Sequence, residues 1–205
     1  MRRLTPRALP PSPVHPTVCD TLLDVVQNAF EAGATRVEVS VARTGNLLSC
    51  SVADNGRGMD EATKRRALDP FYTDGVKHPS RKVGLGLPFL QEMTRASGGA
   101  FSLTSEPGRG TTVAFSFDLS NVDAPSFGDA AGTFTSLATY PGPHVLSVCR
   151  SEDGRSYAVT SAELADALGD LSEAGNLALL RAFFASNEEA ISPASVAPFA
   201  QPLLT

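Results

Sequence analysis

Two short glycine-containing motifs restrict the fold of this chain more than any other part of its sequence. The first runs from Asp54 to Gly58 as Asp-Asn-Gly-Arg-Gly, and the second runs from Gly84 to Pro88 as Gly-Leu-Gly-Leu-Pro. Glycine has no Cβ, so a ligand can approach the backbone closely at such positions. The segment between the motifs is polar, and residues 73–83 carry more basic than acidic side chains. This order predicts a nucleotide site, with a base at one motif and phosphates at the other.

The residues before the first motif predict a helix with a polar stripe. Apolar residues recur at helical spacing over residues 17–32, and Gly33 follows as a helix terminator. Asp20, Asp24 and Asn28 are each four residues apart, so a helix places them on one face. A polar stripe is usually only the solvated side of a helix. By itself, therefore, the stripe leaves a structural and a functional interpretation open.

Two pairs of alternating apolar and polar segments predict β-hairpins. Residues 36–42 and 47–53 form the first pair, and residues 100–106 and 111–118 form the second. The first hairpin leads into Asp54, whose carboxylate can accept a hydrogen bond from an amino group such as that of adenine. The alternative is that the Asn-Gly dipeptide after it forms an ordinary turn.

The second motif predicts an anion site. Pro88 suits the first turn of a helix that we expect to continue to Ala96. The free N–H groups at such a helix start, reached through Gly84 and Gly86, suit the phosphates of ATP. The loop before it, residues 73–83, has the length and irregularity of a functional lid. The basic residues of this loop that could contact phosphate are Lys77, Arg81 and Lys82.

Composition argues against several classes of protein. The 205 residues include 17 basic and 22 acidic side chains, for a net charge of -5, whereas a nucleic-acid surface normally needs a clustered excess of Lys and Arg. The chain has no apolar run near the roughly 18 residues of a membrane span and no secretory signal. We therefore expect a cytoplasmic protein without nucleic-acid or membrane partners. Its three cysteines are expected to be small buried or half-buried thiols.

Taken together, the motifs resemble those of the GHKL ATPase superfamily, which includes gyrase-type topoisomerases, heat-shock chaperone ATPases, mismatch-repair ATPases and histidine kinases. The resemblance extends from Pro16 to Asp118 and is greatest to the ATP-binding domain of histidine kinases. It implies an α+β fold, the two-layer α/β sandwich called the Bergerat ATP-binding fold. Such a fold has a mixed, mainly antiparallel sheet with helices on one face. The resemblance also implies ATP and Mg²⁺ as cofactors.

The resemblance assigns a role to each candidate site residue. Asn28 would hold Mg²⁺, since a neutral amide oxygen is a suitable ligand for this cation. Asp54 would read the adenine, and Thr111 would close the adenine pocket unless it is simply a strand-forming residue. Asp24 is the candidate catalytic base, one methylene shorter than the glutamate of the ATP-hydrolysing members. The residues that would admit the base are Gly56 and Gly58, those that would contact phosphates are Lys82, Gly84 and Gly86, and Phe71 would either anchor the lid or plug the core.

We expect four segments along the chain. These are a disordered proline-rich N-terminus (1–15), a histidine-kinase-like ATP-binding domain (16–119), a linker (120–132) and a small C-terminal region (133–205). The last region is expected to contain a helix or strand at 133–140, a β-hairpin and two helices, and to serve in partner docking or homodimerisation. No helical hairpin with a phosphoacceptor histidine is expected before the first motif, so any phosphoryl transfer would go to a partner protein.

Three functions remain open at this point. The first is an ATP-dependent regulator or protein kinase that acts on a partner or phosphoacceptor protein. The second is a weak ATPase that couples the nucleotide to dimerisation, which the absence of the superfamily glutamate at Asp24 disfavours. The third is a nucleotide-sensing subunit without catalytic activity.

Overall fold

A computed structural model describes residues 16–71 and 86–192. The described residues form alternating groups of helices and strands. In chain order, these elements are α1 (Val18–Glu31), β1 (Arg36–Thr44), β2 (Leu47–Asp54), α2 (Glu61–Ala67), α3 (Gly86–Ala96), β3 (Phe101–Glu106), β4 (Gly110–Asp118), α4 (Ala130–Ala138), β5 (Val145–Glu152), β6 (Arg155–Thr160), α5 (Ser161–Leu168) and α6 (Ala174–Ile191).

The strands form a single sheet in the order β3-β4-β2-β1-β5-β6. Strands β1 and β5 are parallel, and every other neighbouring pair is antiparallel. The predicted α+β sandwich with a mixed, mainly antiparallel sheet is therefore confirmed.

One face of the sheet carries the hydrophobic core. In β1, Val37, Val39 and Val41 are buried while the residues between them are exposed, because successive side chains of a strand point to opposite faces. Helices α1 and α3 pack on the buried face over β1 to β4, and α4 and α6 extend this layer over β5 and β6. Within the described ranges, no helix combines the length and the apolarity that crossing a membrane requires.

The start of α1 is fixed by its own residues. Thr17 and Asp20 form a reciprocal capping box, in which the Thr17 N–H donates to Asp20 Oδ2 (2.8 Å) and the Asp20 N–H donates to Thr17 Oγ1 (3.1 Å). The N–H and the hydroxyl of Thr17, which both donate to Asp20 Oδ2, lower the pKa of the Asp20 carboxyl. Asp20, the first residue of the predicted polar stripe, is thus a helix cap.

Residues 120–132, predicted to be a linker, lie against the start of α1. The N–H groups of Val18 and Cys19 donate to the backbone carbonyls of Ser126 and Phe127 at 3.0 and 2.9 Å. These bonds satisfy donors that a helix start otherwise leaves without a partner. The stretch is therefore part of the packed structure, and its last residues already belong to α4.

The C-terminal region continues the same sheet. Residues 36–43 of β1 pair in parallel with residues 145–152 of β5, and β6 pairs with β5 as the predicted hairpin. Residues 133–140, expected to be a helix or a strand, belong largely to helix α4, which begins earlier because Asp129 Oδ1 accepts a hydrogen bond from the Gly132 N–H at 2.9 Å.

A buried network of charged groups lies between β5, β6 and α6. Arg150 is 3% exposed, and its Nη2 and Nε donate to Glu152 Oε2 at 2.6 Å and to Glu188 Oε2 at 3.3 Å. The hydroxyl of Tyr157 donates to Glu188 Oε1 at 2.7 Å, and Arg43 reaches Glu152 Oε1 at 3.1 Å. The network joins α6 to the strands beneath it.

The three cysteines differ in their exposure. Cys19 and Cys50 are buried as predicted, and burial raises the pKa of each thiol to about 12. Cys149, in contrast, is exposed, so the prediction is wrong for this residue. It lies on the outward face of β5, between Ser40 of β1 and Ala158 of β6.

Candidate functional site

Gly86 of the second glycine motif lies against the polar stripe of α1. Asp24 and Asn28 are exposed and lie one helical turn apart. Gly86, the first residue of α3, is packed so closely on Asp24 that a Cβ added to this glycine would overlap the carboxylate. The candidate base is therefore adjacent to the start of the helix that was predicted to bind phosphates.

The first glycine motif begins with the half-buried carboxylate of Asp54 at the end of β2. Asp54 Oδ1 accepts a hydrogen bond from the Gly56 N–H at 2.7 Å. Burial raises the pKa of this carboxyl, and the backbone N–H groups of Gly56 and Thr111 partly offset the shift. The carboxylate is thus held by the backbone at the edge of the core, where it can still accept a hydrogen bond from a ligand.

The glycines around this carboxylate are required by close backbone contacts. Gly58 and Gly110 adopt φ values of +62° and +97°, a region that favours glycine. A Cβ at Gly58 would overlap the carbonyl of Glu106, and a Cβ at Gly110 would overlap the carbonyl of Asp54. The first motif is therefore packed against the β3-β4 hairpin, and this contact and the positive φ together explain glycine at position 58.

Two polar residues fix the first motif against α1 and β1. Asn55 Oδ1 accepts hydrogen bonds from the N–H groups of Thr35 and Arg36 at 2.9 and 2.8 Å. The Arg57 N–H donates to the carbonyl of Ala32, just after the end of α1, at 3.0 Å. Asn55 therefore positions the loop instead of forming a simple Asn-Gly turn.

Ser105 is a residue of this region that sequence reasoning missed. It is 5% exposed, and its hydroxyl lies 2.8 Å from the Met59 N, 2.9 Å from Thr111 Oγ1 and 3.0 Å from the Gly110 carbonyl oxygen. One signal was available in the sequence: in the alternation of β3, Ser105 falls on the inward side, where a polar residue needs partners.

One face of α1 links the two glycine motifs. Asp24, Asn28 and Ala32 are four residues apart and follow one line along and just beyond the helix. Gly86 lies against Asp24 at one end of this line, and a Cβ at Gly56 would lie 3.0 Å from the Ala32 Cβ at the other end. Asn28 is therefore placed between the two motifs.

The remaining candidates fall into two groups. Phe71 is 91% exposed, so the alternative that it plugs the core is wrong, and the lid that it was expected to anchor lies outside the described residues. Lys82 and Gly84, together with Lys77 and Arg81 of the predicted lid, lie outside the described residues.

A two-layer α/β sandwich with a mixed, mainly antiparallel sheet, in which α1 and α3 pack on one face of β1 to β4, has the architecture of the Bergerat fold. In agreement with this architecture, a family model described as "Histidine kinase-, DNA gyrase B-, and HSP90-like ATPase" matches residues 16–121. The match covers half of the chain, and the chain belongs to this family. The resemblance found in the sequence motifs is thereby confirmed.

The curated relatives include bacterial sensor kinases. The tetrathionate sensor histidine kinase TtrS of Salmonella typhimurium is 37% identical over 87 residues, which cover 42% of this chain and 14% of that protein. The sensor protein kinase FleS of Pseudomonas aeruginosa is 39% identical over 97 residues, which cover 46% of this chain and 23% of that protein. The matched region thus spans less than a quarter of either relative.

A solved structure described as the N-terminal domain of a DNA repair protein shares the fold. It superposes with a TM-score of 0.52 at 17% sequence identity and covers 78% of this chain and 58% of that chain. The shared fold therefore extends beyond the half of the chain that the family model matches.

Proposed function

We propose that the chain binds Mg²⁺-ATP between α1 and the two glycine motifs, and that it acts as a regulatory kinase or nucleotide-dependent regulator of a partner protein. The observation that carries this proposal is the line of Asp24, Asn28 and Ala32 on α1, which touches Gly86 at one end and approaches Gly56 at the other. A ligand lying along this line would have its base near Asp54 and its phosphates near the start of α3.

The residues present suit such a ligand. Asn28 would supply an amide oxygen to Mg²⁺, a cation that takes most of its other ligands from phosphates and water. Bound Mg²⁺ would neutralise part of the phosphate charge. The N–H groups at the start of α3 would bind phosphate oxygens, and the Asp54 carboxylate would accept a hydrogen bond from the amino group of adenine.

The role of Asp24 decides between transfer and hydrolysis. Its carboxylate lies at the start of α3, where a base could take a proton from an attacking hydroxyl or water. The aspartate is shorter than the glutamate that the resemblance implies for efficient hydrolysis. This difference favours a kinase or regulator over an ATPase, in line with the sensor-kinase relatives.

Calorimetric titration with ATP, with and without Mg²⁺, tests nucleotide binding. We expect Asn28→Ala to remove the Mg²⁺-dependent part of the affinity and to leave the unfolding transition unchanged, because the side chain is exposed on α1. Gln27→Ala, on the same helix, is the matched control and should bind as the unmodified protein does. Undiminished Mg²⁺-dependent affinity in Asn28→Ala would contradict the assignment.

Incubation with labelled ATP and Mg²⁺, with and without cell extract, distinguishes the possible uses of the nucleotide. A labelled partner protein that requires Asp24 is the result expected for a kinase. Free phosphate without a labelled partner would instead indicate an ATPase. Bound, unconverted nucleotide would indicate a sensing subunit.

A further inference from the structure

Ser105 connects the two parts of the proposed base pocket. It lies on β3 directly opposite Thr111 of β4, and Thr111 in turn lies opposite Asp54 of β2. The Ser105 side chain also accepts a hydrogen bond from the N–H of Met59, directly after the first glycine motif. A single buried hydroxyl therefore contacts both the loop and the residue proposed to close the pocket.

The single proton of the Ser105 hydroxyl determines the direction of the hydrogen bonds around it. A serine hydroxyl has one proton to donate and two lone pairs that accept. One lone pair is used by Met59, which leaves the contacts with the Gly110 carbonyl (3.0 Å) and with Thr111 Oγ1 (2.9 Å). A carbonyl only accepts, so the Ser105 proton must go to Gly110 if that contact is a hydrogen bond. The contact with Thr111 is then a hydrogen bond only if Thr111 donates to Ser105.

The opposite arrangement leaves one contact without a proton. If Ser105 donated to Thr111, its contact with the Gly110 carbonyl would bring two acceptors to 3.0 Å. Because buried polar groups are generally hydrogen-bonded, the arrangement with a proton in every contact is favoured. In that arrangement the Thr111 hydroxyl has spent its proton on Ser105 and presents only lone pairs to the pocket.

We propose that Ser105 is a positioning residue that holds the Thr111 hydroxyl as a hydrogen-bond acceptor and thereby favours a purine with a 6-amino group over one with a 6-oxo group. This inference rests on the proposed function, since it concerns the base of the bound nucleotide. Asp54 and Thr111 then present two neighbouring acceptors. The amino group of adenine can satisfy both, whereas the oxo group of hypoxanthine offers only further lone pairs.

Parallel titrations with ATP and inosine triphosphate test the proposal, because hypoxanthine differs from adenine only in its 6-oxo group and in the proton on the neighbouring N1. In Ser105→Ala the Thr111 hydroxyl can rotate and donate, so we expect the preference for ATP to fall about three- to tenfold, the range for loss of one neutral hydrogen bond. A residue with only a structural role would weaken both nucleotides equally and leave the ratio unchanged. Ser102→Ala, on the outward face of the same strand, is the control that should change neither affinity.

A second pair of variants keeps the test decisive if Ser105→Ala is unstable in a thermal melt. Thr111→Val should reduce the preference by a similar factor, and Thr111→Ser, which keeps the hydroxyl, should retain it. In the Thr111→Val background, Ser105→Ala should have no further effect on the ratio. An unchanged ratio in Thr111→Val, or in folded Ser105→Ala, overturns the role of Ser105 while leaving the proposed function intact. Failure of the unmodified protein to bind ATP overturns both.

Discussion

The two ends of the sheet use polar residues in different ways. Towards the β3 end, around β2, β4 and α1, Asn28 is exposed and Asp54 is half-buried. At the end formed by β5, β6 and α6, Arg150 and Glu152 are buried and are paired with each other. A binding site must keep polar groups accessible to partners from outside the chain. A structural network, in contrast, provides its partners from within the chain.

The largest expected effect concerns the buried network. Arg150→Met removes the cation paired with Glu188 and leaves Glu152 paired only with Arg43, and removing one partner of a buried ion pair costs up to about 3–5 kcal/mol of unfolding free energy. Denaturant titration measures this loss. The control is Arg181→Met, which breaks the exposed Arg181–Asp129 pair, with side chains 61% and 58% exposed, and should cost at most about 1 kcal/mol. Equal losses in the two variants would show that burial does not distinguish these pairs.

The next effect concerns the half-buried carboxylate at the opposite end. Asp54→Asn replaces an acceptor by an amide that also donates, so we expect the ATP-over-GTP preference to fall at least about tenfold, as for a hydrogen bond to a charged group. Competition titrations with the two nucleotides measure it. An unchanged preference would remove Asp54 from the base pocket.

Asp54→Asn, which should weaken the preference for ATP, should also change how the stability of the fold depends on pH. Because the pKa of Asp54 is raised by burial, the folded state holds the proton more tightly than the unfolded chain does. Stability therefore falls as the pH rises from the ordinary carboxyl pKa through the raised value, and the cost remains above that window. Asp54→Asn has no carboxyl at this position and does not bear this cost. The difference in unfolding free energy between the variant and the unmodified protein should therefore favour the variant more at neutral pH than at pH 3. Denaturant titrations at both pH values would contradict this if the difference had the opposite sign.

A smaller effect is expected where the second glycine motif meets α1. In Gly86→Ala the new Cβ displaces the Asp24 carboxylate, which costs about 0.5–1.5 kcal/mol if the side chain leaves its rotamer. Reduced entropy of the unfolded chain offsets about 0.4–1 kcal/mol. We therefore expect nearly unchanged stability in thermal melts but reduced nucleotide affinity or turnover. Unaltered binding and turnover would show that the position of Asp24 is unimportant for the site.

The smallest effect is expected in α6, at the structural end. A Cβ at Gly175 meets no atom within 4 Å, and alanine is favoured over glycine in a helix by roughly 0.5–1 kcal/mol. Gly175→Ala should therefore stabilise the fold slightly in denaturant titrations, without any change in nucleotide affinity. A loss of stability would indicate that this helix start has a further constraint.

Local patterns predicted most of the elements but not how the two ends are joined. Alternation of apolar residues identified both hairpins of the ATPase-like segment, and the spacing of Asp24 and Asn28 identified the polar face of α1. The pairing of β1 with β5 was not foreseen, because periodicity shows which side chains face inward but not which strand lies next. For the same reason residues 120–132 were expected to be a linker.

Within the candidate site, sequence identified residue types better than their contacts. Gly58 was expected to admit the base, whereas its positive φ and its contact with Glu106 explain the glycine structurally. Ser105 was missed because its partners, Met59 and Thr111, come from different segments of the chain. Such hydrogen bonds depend on the tertiary arrangement, which no local pattern records.

The pairing of β1 with β5 has a consequence for biosynthesis. The residues that pair are separated by 109 positions, so β1 leaves the ribosome roughly 5–20 s before its neighbour at usual rates of translation. During that interval the row of N–H and C=O groups along β1 is open to any other extended chain. In a fragment that stops at residue 121, where the family match ends, the backbone groups of β1 that pair with β5 would stay unpaired permanently.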